Sequence, residues 1–376
     1  MSSTTTRRTF LKSAATAAGA GLAARRSLWP RRAKAAAPNT TAVERLYEFD
    51  YADVALTGGP LKAQYDFIHA HYLALDNDRL LQVYRQHAGL HAPGVDMGGW
   101  YGKGGFIPGH AFGQYVSGIA RFGRCTGDDA CRHKVHELIH GFARALDSNP
   151  VPYAGEGAWQ VWPAYVLDKH MIGLIDAYYM SGVHSARQLI PRVIRGALPF
   201  ISPVSRNRIG VRNPPYDETY VISENLFTAA HLTGERRIRD LAVKYLLNGP
   251  YFDPLAHGSN VLPGQQAYSH VMAFSSAAMA YIQLGDPRYR DALVNGWRFL
   301  DEQSYATGGW GPNELLITPG NGALASSLTT TTNHYETPCG TFATMKAARY
   351  LMRFTGDARY GDGLERIMWN GLMTVK

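Results

Sequence analysis

The chain predicts an all-α fold, an (α/α)6 toroid of six helical hairpins, and three observations point to it. A glycine-centred turn between two helical patterns recurs at Gly127, Gly182, Gly234, Gly285 and Gly356, at separations of 55, 52, 51 and 71 residues. Each turn follows an apolar helical stretch and precedes an amphipathic one. The connections between units are long and rich in Gly, Pro and aromatics, as at 98–108, 199–220 and 249–264. TPR-like and HEAT-like solenoids have shorter periods and tight connections.

The elements follow in order. The first unit joins residues 65–75 to 80–85 through Leu75-Asp76-Asn77-Asp78-Arg79-Leu80. The next turns are Cys125-Thr126-Gly127-Asp128, Met180-Ser181-Gly182-Val183, Leu232-Thr233-Gly234-Glu235, Gln283-Leu284-Gly285-Asp286 and Phe354-Thr355-Gly356-Asp357. Gly ends the first helix of each pair because it enters the left-handed region without Cβ strain. The acid after it caps the second helix, its oxygen meeting orphan N–H groups. The Gly182 turn lacks that acid. The long connections would line one mouth of the toroid, where binding and catalysis sit on such scaffolds.

The 376 residues carry 38 Lys and Arg against 30 Asp and Glu. All eight surplus bases lie in residues 1–37, which contain no acid. That tail reads as a twin-arginine export signal: Arg7-Arg8-Thr9-Phe10-Leu11-Lys12, a weakly apolar stretch over 13–24, then Ala33-Lys34-Ala35 and Ala35-Ala36-Ala37 as cleavage sites. Residues 38–376 form the catalytic domain in this reading. The partner implied is the twin-arginine translocase, and the destination is periplasmic or secreted. The rest of the chain is formally neutral, which argues against nucleic acid as partner. No apolar run is long enough for a stable membrane anchor. Cys125 and Cys131 flank one turn as either a small disulfide loop or two separate thiols. Cys339 is the odd one.

Loop aromatics (Trp100, Tyr101, Trp159, Trp162, Tyr216, Tyr220, Tyr268, Tyr305 and Trp310) suit stacking on sugar faces, or ordinary packing. Three acidic positions stand out. Glu314 ends the Gly-rich, aromatic turn that starts at Ser304. Glu336 and Cys339 lie three apart at a helix start, where both can face one ligand or metal and the helix dipole favours a thiolate. Glu224 follows Tyr216-Asp217-Glu218-Thr219-Tyr220 at another helix start. Each is also explained as a dipole residue, a loop carboxylate or a buried thiol. There is no nucleophile elbow, Walker A loop, dinucleotide glycine fingerprint or Cys-x-x-Cys.

Several segments together resemble glycoside hydrolase family 127, the β-L-arabinofuranosidase-like proteins. They are Pro108-Gly109-His110 with Tyr115, Ser223-Glu224-Asn225-Leu226, Leu262-Pro263-Gly264 and Tyr268-Ser269-His270. Ser304-Tyr305-Ala306-Thr307-Gly308-Gly309, Tyr335 through Gly340, Phe354 through Tyr360 and Leu364 through Asn370 complete the set, in order from about residue 45 onward. The resemblance implies an (α/α)6 catalytic domain followed by β-sandwich domains. It implies retaining exo-cleavage of a β-L-arabinofuranoside-like sugar from an oligo- or polysaccharide. It also implies a zinc held by one Glu and three Cys, one of them the nucleophile. Glu314 then matches the acid/base, Glu336 and Cys339 the first zinc ligands, and His110 and His270 the sugar contacts; Glu224 and Trp310 are further substrate-binding candidates. Pro338 makes the Glu–Cys spacing three where many members have two, and Gln266 stands where many have His. The remaining zinc cysteines, with the nucleophile, and the β-domains are expected beyond Lys376. Two other readings follow: a non-catalytic sugar-binding toroid, and a toroid polysaccharide lyase or epimerase using Tyr/His chemistry.

Overall fold

In the computed structural model the described residues are 44–154, 162–208, 218–334 and 336–374. The expected export signal and the aromatics Trp159, Tyr216 and Tyr335 lie outside them. Twelve principal helices, taken in six successive pairs, make the domain an all-helical toroid of the six-hairpin class. They are α1 (Gly59–Leu73), α2 (Asn77–His87), α3 (Phe112–Thr126), α4 (Asp129–Ser148), α5 (Pro163–Ser181), α6 (Ser185–Ala197), α7 (Ser223–Thr233), α8 (Arg236–Lys244), α9 (Ala267–Leu284), α10 (Pro287–Asp301), α11 (Gly340–Thr355) and α12 (Arg359–Ile367). Among the described residues β-structure is limited to one bridge, Gln266 with Leu315. No described helix is long and apolar enough to cross a membrane.

The turns form for the reasons the sequence supplies. All five turn glycines take φ between 70° and 77°. Asp76, Asp128, Asp286 and Asp357 each accept from the backbone N–H two residues on, at 2.7–3.0 Å. Glu235 does not cap α8 by a side-chain hydrogen bond. Its longer side chain leaves only the dipole contribution.

The first pair departs from the hairpin expectation. Its two helices run end to end along α4: His69 meets Cys131, the Leu75 carbonyl accepts from Lys134, Asn77 donates to Glu137, and Asn149 donates to the His87 carbonyl. The turn after Leu73 lacks a left-handed Gly, so nothing there folds α2 back onto α1. The other five pairs are packed hairpins.

The inner helices α3, α5, α7, α9 and α11 run parallel, so their N-termini share one mouth. Gly113 and Gly173 let α3 and α5 touch backbone to backbone. A Cβ on Gly173 would stand 2.6 Å from the Gly113 Cα. Ser117 and Arg121 of α3 reach Asp176 of α5 at 2.5 and 2.8 Å. Asn225 of α7 donates to Asp168 of α5 at 2.7 Å. At the opposite end Arg45 N–H donates to the Arg353 carbonyl at 2.7 Å, and Arg124 grips Asp50 with two 2.8 Å bonds. Residues 44–53 thereby close the ring between α11 and α3.

Glu224 lies inside this ring rather than at its mouth. Its carboxylate pairs with Lys346 and accepts from Tyr350 at 2.8 Å. That is where the structure places this residue, expected as a sugar contact. Burial opposes the charge, but Lys346, Arg349 and Tyr350 outweigh it and hold the Glu224 pKa below its ordinary value. Its stabilising contribution is therefore whole above the ordinary carboxylate pKa and is lost as pH falls through the lowered one.

We predict that Lys346→Met, which strands the buried carboxylate, lowers unfolding stability by about 3–5 kcal/mol in urea titrations. Glu224→Gln with Lys346→Met, which keeps an acceptor for Tyr350, recovers most of that loss.

Candidate active site

Two turns meet at the mouth. The first runs from Gly308 to Glu314 and the second from Asn333 to Gly340, and hydrogen bonds hold them together. Thr337 N–H donates to the Trp310 carbonyl at 2.8 Å, and its hydroxyl donates to the Gly311 carbonyl at 2.7 Å. Asn313 N–H donates to the His334 carbonyl at 2.9 Å, while its side-chain oxygen accepts from Thr332 and Asn333 at 3.2 and 3.0 Å. Trp310 is 1 % exposed. Its indole N–H donates to Thr344 of α11 at 3.0 Å, and its ring lies against Gly340. Trp310, expected as a sugar contact, is thus packed beneath the start of α11.

The cost of this junction shows in the backbone. Asn313 and Glu314 have φ of 51° and 63°, the only non-glycine residues with positive φ among those described. Strain of that kind is of order 1–3 kcal/mol per residue and persists where surroundings over-determine it. It aims Glu314 out of the turn, where His334 Nε2 lies 3.1 Å from Oε1.

Cys339 caps α11 from an exposed position, as a free thiol. Burial of the sulfur comes first, the Glu314 carboxylate second, and together they push the thiol pKa up, with Lys169 opposing. Glu314, Cys339 and Lys169 therefore share one electrostatic neighbourhood. Glu336 accepts from the Thr307 hydroxyl, and its carboxylate rests on Gly309, where no Cβ would fit.

His110 precedes α3 and is anchored by Nδ1–H donating to the Ile107 carbonyl at 2.8 Å. Burial, with Lys169 adding to it, lowers its pKa and favours the neutral ring. Its neighbours form an aromatic wall: Trp100 and Tyr165 at 6.2 and 6.3 Å between ring centroids, and Phe106 beside Trp100 at 5.0 Å. Trp100 is 64 % exposed and so is the available stacking face. His270 is fully buried below the mouth. Its Nδ1–H donates to the Gln266 carbonyl at 2.9 Å, its Nε2 lies 3.0 Å from the Asn207 side chain, and burial drops its pKa to about 3.

Sequence reasoning missed a buried polar group behind these residues. Lys169 pairs with Asp168 at 3.1 Å, reaches the Tyr268 hydroxyl at 3.2 Å, and lies over the Tyr165 ring at 4.6 Å. Burial opposes its charge, but Tyr268, Asp168 and Tyr165 together keep its pKa above the ordinary lysine value. Arg208 pairs with Glu218 at 2.6 Å. Burial raises the Glu218 pKa against that pairing. The available signal was Asp168-Lys169-His170, three consecutive polar residues inside a mostly apolar helix.

Glu336 and Cys339 offer a carboxylate and a thiol, both donor types that zinc accepts. They are two donors, and the described residues bring no third to them. Three such donors converge elsewhere, at His69, Asp128 and Cys131. Cys125 and Cys131 are both free thiols.

The sequence matches the family model "Beta-L-arabinofuranosidase, GH127 catalytic domain" over residues 53–375. No curated protein matches it. The fold is similar to a GH127 β-L-arabinofuranosidase from Geobacillus stearothermophilus T6, with TM-score 0.55 and 15 % identity over 83 % of this chain and 52 % of that one. It is similar also to a solved structure described as a glycoside hydrolase, with TM-score 0.52 and 14 % identity over 70 % of this chain and 46 % of that one. The chain thus spans about half the length of the solved structures it resembles.

We predict that alkylation of Cys339 by iodoacetamide, followed by peptide mass spectrometry, accelerates only above the pH range of an ordinary thiol. Glu314→Gln moves that profile to lower pH, because it removes a carboxylate that opposes the thiolate.

Proposed function

Because the chain belongs to glycoside hydrolase family 127, its catalytic-domain model covering residues 53–375, we propose that it acts on saccharides as a retaining exo-glycosidase. The preferred substrate is a β-L-arabinofuranoside-like sugar, and Glu314 is the acid/base. The observation that carries this reading is the strained turn that holds Glu314 at the mouth, against His334 and beside Cys339. In its acid form Glu314 donates a proton to the leaving glycosidic oxygen. As carboxylate it then takes a proton from the incoming water. Trp100 and Phe106 stack on the sugar face, and neutral His110 hydrogen-bonds a hydroxyl.

Zinc in this reading would supply charge that keeps a thiolate ionised. Glu336 and Cys339 would be its ligands from this chain. They fill two of the four positions a tetrahedral site requires, so no step is derived through the metal. The described residues supply no further cysteine or ligand beside these two. In the same proposal residues 1–37 direct twin-arginine export to the periplasm or beyond, and residues 38–376 are the catalytic domain. That only two such donors meet there among the described residues favours a second reading, a toroid that binds sugar without turnover.

Assay on an aryl β-L-arabinofuranoside separates these. Glu314→Gln is expected to lower kcat by about 10²–10⁴-fold with little change in KM, and an unchanged kcat overturns the acid/base assignment. Trp100→Ala raises KM severalfold. Quenching of Trp100 fluorescence by arabinosides, without turnover in the unmodified chain, selects the second reading.

A further inference from the structure

Helix α1 contains no buried residue. Yet it is held in register against the start of α4, and the contact is not apolar. His69 of α1 places Nε2 3.2 Å from Cys131 Sγ and 3.4 Å from Asp128 Oδ2. The Cys131 sulfur lies 3.7 Å from the same carboxylate oxygen. Three donors of different chemistry thus form a nearly equilateral triangle.

The local structure pre-arranges each of them. Asp128 uses Oδ1 to cap α4, accepting from Ala130 N–H at 2.8 Å, which leaves Oδ2 for the cluster. Cys131 follows in the first turn and is fully buried. The His69 ring stacks on Phe122 at 4.9 Å between centroids and 20° between planes, which fixes where Nε2 points. His69 and Asp128 keep side-chain exposures of 18 % and 30 %, so one side opens to solvent.

A catalytic Cys-His-Asp relay is a poor description of this arrangement. In a relay the carboxylate holds one ring nitrogen and the thiol the other. Here both converge on Nε2. Convergence on one point is what a metal requires. Zinc bonds of about 2.0–2.3 Å to N, O and S in a tetrahedron imply ligand–ligand edges of roughly 3.3–3.6 Å, close to the triangle observed.

We propose that His69, Asp128 and Cys131 bind a divalent transition-metal ion, zinc by chemistry, with a solvent molecule in the fourth position. Binding releases the Cys131 proton to solvent. The ion staples α1 to the second hairpin, adding to the contacts of Tyr65 with Phe122 and Tyr72 with Tyr115. This site is distinct from Glu336 and Cys339 and does not depend on the glycosidase reading.

Cobalt(II) titration of the full chain carrying Cys339→Ser tests it. We expect one equivalent bound, a thiolate-to-cobalt charge-transfer band, and slowed hydrogen exchange across residues 59–73. Cys131→Ser abolishes the band, and His69→Gln weakens binding at least tenfold while leaving the helical circular dichroism intact. Absence of the band in the Cys339→Ser chain overturns the proposal. So does a band that survives both Cys131→Ser and His69→Gln, or one that disappears on Cys125→Ser.

Discussion

A carboxylate and an ammonium buried inside the ring govern how the inner helices stand. Glu224 begins α7 and Lys346 sits in α11, yet their side chains pair, with Tyr350 completing the carboxylate's bonds. Neither charge is tolerable there alone. The pairing therefore ties α7 to α11 across the ring and fixes the height of the Cys339 end of α11. Asp176 with Arg121, and Asp50 with Arg124, do the same for α3 against its neighbours. A toroid leaves an interior that apolar side chains do not fill, and this one fills it with satisfied ions.

Above that layer, two connections from different parts of the chain are joined into one surface. The junction runs through Trp310, Asn313 and Thr337, and its consequence is the left-handed backbone at Glu314. The strain is local and the compensation is distributed over several hydrogen bonds. Glu314 is consequently a positioned carboxylate and not a mobile loop acid. The parallel N-termini of five inner helices add positive potential at the same mouth, and neutral His110 and the aromatic wall complete a surface suited to an uncharged sugar.

How much of this was legible depended on range. The five glycine turns and the caps at Asp128, Asp286 and Asp357 rest on interactions within a few residues, and they stand where the sequence places them. Glu314, Glu336 and Cys339 were visible as unusual acids and a thiol in Gly- and Pro-bearing turns. The end-to-end course of α1 and α2 was not, because apolar periodicity is the same whether two helices fold back or continue. Nor was the burial of Trp310 and Glu224, for a related reason. An aromatic in a Gly-rich loop and an acid at a helix start read alike whether they face solvent or the core.

By itself the sequence determined the helical pairs, the boundaries of most turns, the family resemblance and the placement of all net charge in the first 37 residues. Tertiary structure alone decided which polar groups meet: Glu224 with Lys346, Lys169 with Tyr268, and His69 with Cys131. Those partners lie 122, 99 and 62 positions apart. Local propensity does not encode such separations. They are set by helix packing that brings distant turns to the same height, as where Gly113 and Gly173 allow two backbones to touch.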